Sequence, residues 1–243
     1  MRQDRFTLAK IVKEIQDKQY FIFTIDQLNR HLISSLSECY KSFSNSWNNL
    51  CIDNYMSDGG KYRYRRYNVM QYHTFRNYLE ILPNEPHFQK DTYNSLNGGI
   101  YRHYEPFEEE TLKNPILKFL IESCANIFNL ATTPCSWRVE CHQFRIKPTL
   151  EFSGLPTPEG RHRDGVDYVF MMLVNRVNIL GGVTGIYNDI GDFLTLYTLK
   201  QPFECILLDD TKIMHKVSPV YKKSMDNSAY RDMLVLTFRK IIT

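Results

Sequence analysis

His162 and Asp164, in the stretch Gly160-Arg161-His162-Arg163-Asp164-Gly165, are two residues apart. In extended backbone, side chains at that spacing point to the same side, so an imidazole and a carboxylate here can converge on one metal ion. His215, in Met214-His215-Lys216-Val217, would complete two histidines and one carboxylate. That donor set occupies one face of an octahedral ferrous ion and leaves the other positions open. Arg231 then opens an alternating run to Phe238, a position from which a guanidinium can grip a carboxylate through two parallel hydrogen bonds.

The pair alone is a cheap pattern. With 7 histidines and 27 acidic residues in 243, chance gives about 0.8 such pairs. A rival, His103 and Glu105 in Tyr101-Arg102-His103-Tyr104-Glu105-Pro106, reads as a partly exposed strand end with its charges in water. Context separates the two: only His162 and Asp164 are followed by a glycine, a long apolar strand, a later histidine and an arginine.

The whole constellation resembles the small bacterial iron(II)- and 2-oxoglutarate-dependent dioxygenases that hydroxylate free L-amino acids, the isoleucine hydroxylase type. The likeness runs from Ser136 to Arg239. It is carried by Glu140-Cys141-His142-Gln143-Phe144-Arg145, by Pro158-Glu159-Gly160-Arg161-His162-Arg163-Asp164-Gly165-Val166-Asp167, by Gly181-Gly182-Val183-Thr184-Gly185-Ile186-Tyr187, and by Leu207-Leu208-Asp209-Asp210 before His215 and Arg231. The resemblance implies metal ligation by His162, Asp164 and His215, and Arg231 on the distal carboxylate of 2-oxoglutarate. It implies Fe(II), 2-oxoglutarate and dioxygen as cofactor and cosubstrates, with ascorbate as a stimulant. The implied reaction is oxidative decarboxylation of 2-oxoglutarate to succinate and CO2, coupled to hydroxylation of an amino-acid side chain.

Three residues are further candidates for substrate binding. Glu140 and His142 share a face of the strand from Trp137 to Ile146, so both face inward or neither does, and they could meet the ammonium and carboxylate of an amino acid. Arg161 could reach a substrate carboxylate. One of Arg63, Arg65 and Arg66 could also do so, although each alone reads more simply as the charged edge of a strand. Tyr168, Phe170 and Met172 could wall an apolar pocket, and Cys141, on the strand beside the site, reads as packing.

Elements that place these residues follow from periodicity. Phe6, Leu8, Ile11, Val12 and Ile15 recur at helical spacing, predicting a helix over 6–18. A short strand follows at Tyr20 to Thr24. Asp26 is expected to cap a helix burying Leu28, Leu32, Ile33, Leu36, Tyr40 and Phe43. Lys61 to Tyr72 reads as extended, residues 73–113 as short strands and loops, and Asn114-Pro115 as a helix start. From Trp137 onward the chain reads as β, with strands at 166–174, 184–187, 192–199, 203–208 and 230–238 and a loop from Pro148 to Pro158 before the site. Helices first and short strands afterwards suit an α+β chain. The expected fold is a distorted double-stranded β-helix, a cupin-like jelly roll, with the N-terminal helices covering one sheet. One dioxygenase domain is expected over 1–243, with 1–130 as helix-rich cover and outer strands and 131–243 as the β core carrying the metal site.

Composition limits the alternatives. Thirty basic and 27 acidic residues give a net charge of +3, too even to suggest nucleic acid as a partner. No signal peptide or membrane-length apolar run is evident. Six cysteines without Cys-x-x-Cys spacing read as reduced core residues of a cytoplasmic protein. The oligomeric state is left open, a homodimer being compatible. Two other functions fit part of the pattern: a jelly roll that binds a metal or metabolite without turnover, and a zinc hydrolase, against which the absence of a His-Glu-x-x-His helix counts.

Overall fold

The computed structural model describes residues 2–28, 37–225 and 228–242. Helix α1 (Arg2–Lys18) buries Ile11 and Ile15. It ends at Gln19, whose positive φ of 64° turns the chain into strand β1 (Tyr20–Thr24). At Asp26 itself the chain forms a 3-10 turn, Ile25–Gln27, capped by Thr24 rather than Asp26, with Gln27 Oε1 accepting the Thr24 N–H, and the helix expected beyond it runs into residues 29–36, outside the described residues. Leu32, Ile33 and Leu36 lie outside the described residues, while Phe43 in α2 (Ser37–Asn45) is buried. After β2 (Cys51–Ile52), β3 (Arg63–His73), β4 (Tyr78–Ile81), β5 (His87–Phe88), β6 (Tyr101–Arg102) and the short α3 (Glu109–Leu112), helix α4 spans Pro115–Ala131. Asn114 caps α4 as expected, its Oδ1 accepting the Ile116 N–H at 2.9 Å, and Pro115 takes the first turn, where its missing N–H costs nothing.

The remaining strands are β7 (Ser136–Ile146), β8 (Tyr168–Val177), β9 (Ile179–Gly181), β10 (Thr184–Asn188), β11 (Phe193–Tyr197), β12 (Glu204–Asp209), β13 (Ile213–Val217), β14 (Val220–Lys222) and β15 (Tyr230–Ile241). Eight of the strands form one large sheet in the order β1-β12-β8-β15-β7-β3-β2, with β4 also on β3. A smaller sheet, β11-β10-β13, faces it, and β9 pairs with β14. This is the distorted double-stranded β-helix expected from the sequence.

Alternation along β8 divides the interior into two layers. Tyr168, Phe170, Met172 and Val174 join the helices in one core with Ile11, Leu117, Leu120 and Phe128, and the Phe128 ring stacks on Tyr168 at 4.1 Å. Val169, Met171 and Leu173 point the other way, toward Ile186 and Ile213 of the smaller sheet. Tyr168, Phe170 and Met172 therefore do not wall the site. Because β8 is apolar on both faces, its sequence alone cannot give the parity. Cys141 is buried in the helix-side core, which confirms its reading as packing. The Pro148 to Pro158 loop is tied down: Gly154 pairs with Val220, and Thr157 Oγ1 accepts the Val217 N–H at 2.9 Å.

Candidate active site

Adjacent strands β3, β7 and β15 run antiparallel in register, with Arg63 and Arg231 both opposite Ile146. Residues two apart on each strand thus point into the space between the sheets. Arg63 and Arg65 enter it from β3, Glu140, His142 and Phe144 from β7, and Arg231, Met233 and Val235 from β15. The cavity is completed by His215 on β13, by Glu159, His162 and Asp164 before β8, and by His87 and Arg102 from the β5–β6 hairpin.

His162 and His215 meet through a single antiparallel bridge, His162 N–H to His215 O at 3.0 Å and the reverse bond at 2.9 Å, with ring centroids 4.5 Å apart. Asp164 Oδ1 lies 3.7 Å from His162 Nε2, and Asp164 Oδ2 lies 4.0 Å from His215 Nε2. Asp164 is not on a regular strand. The buried Asp210 carboxylate accepts the N–H groups of Asp164 (3.0 Å), Gly165 (2.7 Å) and Val166 (3.0 Å), and Gly165 has the positive φ, 80°, that the bend requires. Asp210 thus fixes the turn that aims Asp164 back at the histidines.

The donor set fits a divalent metal. The separations of 3.7 and 4.0 Å exceed a hydrogen bond but suit a shared ion with metal–ligand bonds on the order of 2 Å. His162 Nδ1 lies 3.1 Å from the Gly160 carbonyl, so Nδ1 can donate there and leave the Nε2 lone pair facing Asp164, the orientation usual for ligating histidines. Burial, and then His162, hold His215 neutral, which is the ligating form, and its buried Nδ1 has no partner among the described residues. Burial pushes the Asp164 carboxyl up to about 7 against the pull of His162, and a bound dication would reverse that shift.

Arg231 is 3% exposed, and its Nε has no partner among the described residues. Burial, with Arg176 nearby, brings it down to about 10, so it remains a cation able to receive a carboxylate. Glu140 and His142 both face the cavity, resolving the either-both-or-neither expectation in favour of both. Glu140 Oε2 accepts from His87 Nδ1 at 3.0 Å, while His142 Nδ1 is 2.6 Å from Arg65 Nη2. Arg161 is placed elsewhere. It is exposed, donates to the Gly191 carbonyl at 2.7 Å, lies over the Tyr187 ring and borders a neighbouring depression rather than this cavity. It does not line this cavity, because the bridge that turns His162 inward sends its neighbour outward. His103 and Glu105 are exposed, as expected.

The sequence pattern does not single out His87 or Arg102, and it offers Arg63 and Arg65 only as two of three arginines, one of which could reach a substrate carboxylate. For Arg102 a signal existed. Tyr101 and His103 are exposed while Arg102 and Tyr104 are buried, so alternation had already placed the arginine opposite the rejected His103. For β3 the preference for a solvated edge fails at Arg63 and Arg65, which are buried, and holds for Arg66, which donates to the carbonyls of Asn49 and Pro106.

Comparison with known proteins agrees with this geometry. The family described as 2OG-Fe dioxygenase matches residues 44–237. L-isoleucine-4-hydroxylase of Bacillus thuringiensis is 26% identical over 248 residues, covering 98% of each chain. 3(1)-hydroxy-L-isoleucine 4-dioxygenase of Pantoea ananatis is 26% identical over 159 residues, covering 64% of each. The crystal structure of a bsmA homolog from Methylobium petroleophilum superposes with a TM-score of 0.87 at 32% identity, covering 96% of this chain and 93% of that one. With the family match running across most of the chain and through His162, Asp164 and His215, the protein belongs to the 2OG-Fe dioxygenases, enzymes that use Fe(II), 2-oxoglutarate and dioxygen.

Proposed function

We propose that this enzyme hydroxylates the side chain of a free L-amino acid of medium aliphatic size, using His162, Asp164 and His215 as its iron ligands and Arg231 as the anchor for the distal carboxylate of 2-oxoglutarate. The observation that carries the reading is the convergence of those four residues on one cavity that also holds Glu140 and apolar walls. When bound, iron with 2-oxoglutarate and dioxygen supplies oxidative decarboxylation to succinate and CO2 coupled to hydroxylation of an unactivated carbon. The chain supplies position. Asp210 holds the Asp164 turn and the Gly160 carbonyl orients His162. Arg231 fixes the cosubstrate, and Met171, Met233 and Val235 give the apolar surface against which an aliphatic side chain can rest. Glu140 stays ionised: burial opposes its charge, but the His87 hydrogen bond and Arg138 outweigh it, so it suits an ammonium. The names of the two hydroxylase relatives support a substrate of isoleucine type.

The same reading has residues 1–243 working as one dioxygenase domain, supported by a core that joins Ile11 and Phe43 to Leu234 and Phe238. The even charge speaks against nucleic acid as a partner. No described helix is long and apolar enough to cross a membrane, and all six cysteines are free, which suits the reducing cytoplasm. Incubation of the iron-loaded protein with 2-oxoglutarate and separate aliphatic, polar and basic L-amino acids tests the substrate class. Succinate formation coupled to gain of one oxygen on an aliphatic amino acid is expected. Coupling only to a peptide or a non-amino-acid metabolite would overturn the substrate class, and ligand binding without succinate would favour the binding-module alternative.

A further inference from the structure

Beside the iron-ligand set, the cavity holds a second cluster whose chemistry that set does not explain. His87, Glu140 and His142 bring nitrogen and oxygen donors within 4.8 Å of one another, the spacing of a metal site. A cation there would face the guanidinium groups of Arg63, Arg65 and Arg102, all buried and all lining the same cavity. Arg65 Nη2 also occupies His142 Nδ1 at 2.6 Å, the nitrogen a metal would need if it bound on that side. The three arginines around it favour an anion over a second cation.

Its charges are incompletely matched. Asp53 is shared, 2.8 Å from Arg63 Nε and 3.8 Å from Arg65 Nη1. Arg102 is 2% exposed and has no carboxylate within ion-pair distance among the described residues. Arg63 Nη2, Arg65 Nε, and both Nε and Nη2 of Arg102 are buried N–H donors without partners among the described residues. Buried donors are rarely left unmade, and charged ones least of all. Arg65 is held in place from both sides, its guanidinium carbon 3.8 Å from the Tyr104 ring centroid and 4.5 Å from that of Phe144. Burial, and then Arg65, keep His142 neutral, so its Nδ1 accepts from Arg65 and helps fix the direction of the fork. Arg231 lies across β7 from these residues, in the same cross-strand row as Arg63 and about 10 Å from it at the backbone. One carboxylate of 2-oxoglutarate on Arg231 therefore leaves the Arg65 and Arg102 donors unmet.

We propose that Arg65 and Arg102, backed by Arg63, form the clamp for the substrate's α-carboxylate, with Glu140 receiving the ammonium beside it. This deepens the amino-acid reading given above and rests on it. It recasts His142 as a positioning residue for Arg65 rather than a direct substrate contact. It also sets the orientation, because a zwitterionic head held at β3 and β7 leaves the side chain free to extend toward His162, Asp164 and His215.

Calorimetric titration of the iron- and 2-oxoglutarate-loaded enzyme without oxygen tests the clamp, using L-isoleucine, L-leucine and L-valine, each beside its carboxamide. The wild type is expected to bind at least one acid roughly 30- to 100-fold more tightly than its amide, the cost of losing one partner of a buried charged pair. Arg102→Gln and Arg65→Gln should remove that preference by weakening the acid alone, with the affinity for 2-oxoglutarate unchanged. His142→Asn, whose amide oxygen can replace Nδ1 as acceptor, should retain most of the preference that His142→Leu loses. Equal binding of acid and amide by the wild type, no binding of any acid, or variants that weaken acid and amide alike would overturn the clamp. Turnover of an amino acid without acid-over-amide preference would leave the proposed reaction standing and the clamp refuted. A clear preference without hydroxylation of any amino acid would do the reverse.

Discussion

His215 and Arg231 line the same cavity, yet their replacement should fail in different ways. His162→Ala, Asp164→Ala or His215→Ala removes one of the three proposed ligands, so iron binding and succinate formation should fall together to near background, whereas His103→Ala, at an exposed position, should leave both unchanged. Arg231→Lys keeps a charge but loses the planar fork. The 2-oxoglutarate KM should rise roughly 10- to 100-fold with iron affinity retained, as steady-state kinetics beside an iron titration would reveal. An unchanged KM would transfer the anchor to another arginine, with Arg239 at the cavity mouth next in line. Asp210 touches no atom of the histidine pair, but Asp210→Ala leaves three part-buried N–H groups without their acceptor at the turn behind Asp164. Iron affinity should drop roughly tenfold or more while the protein still folds, a result readable by metal titration and thermal melting.

At the scale of strands and helices, the sequence was legible where a residue's neighbours along the chain fix its role. His162 and Asp164 were found from spacing, although a pinned turn rather than a regular strand brings them together. The Asn114 cap and the apolar face of α4 were equally readable, because both are local. Parity was not legible for β8, apolar on both faces, or for β3, whose arginines alternate with other polar residues. His87 and Arg102 reach the cavity only through pairing of two short strands, a contact no local pattern announces. Strand pairing also makes a stability prediction. Arg145 and Asp232 are cross-strand partners on β7 and β15, joined at 2.7 and 2.8 Å, and Asp232 accepts from Asn175 as well. Asp232→Ala would take away that guanidinium's carboxylate, leaving it Asn48 alone as acceptor, and should cost about 3 kcal/mol in denaturant unfolding. Leu120→Ala in α4, fully buried against the large sheet, should cost a similar 2–5 kcal/mol, while kcat below the melting transition stays near normal because the helix layer lies behind the sheet.

For the molecule as a whole, the large sheet separates two tasks. Its helix-facing side builds a dry aromatic and aliphatic core, and its other side carries the ionisable residues of the cavity. The central claim is that, of the two clusters of metal-ligand type found in that cavity among the described residues, iron occupies the one made by His162, Asp164 and His215. Crystals grown without oxygen, with Fe(II) and 2-oxoglutarate, and measured for anomalous scattering at the iron edge would test it most directly. The expected map has one strong iron peak bonded to His162, Asp164 and His215, with the distal carboxylate of 2-oxoglutarate on Arg231. An iron peak among His87, Glu140 and His142, or 2-oxoglutarate turned away from Arg231, would contradict it.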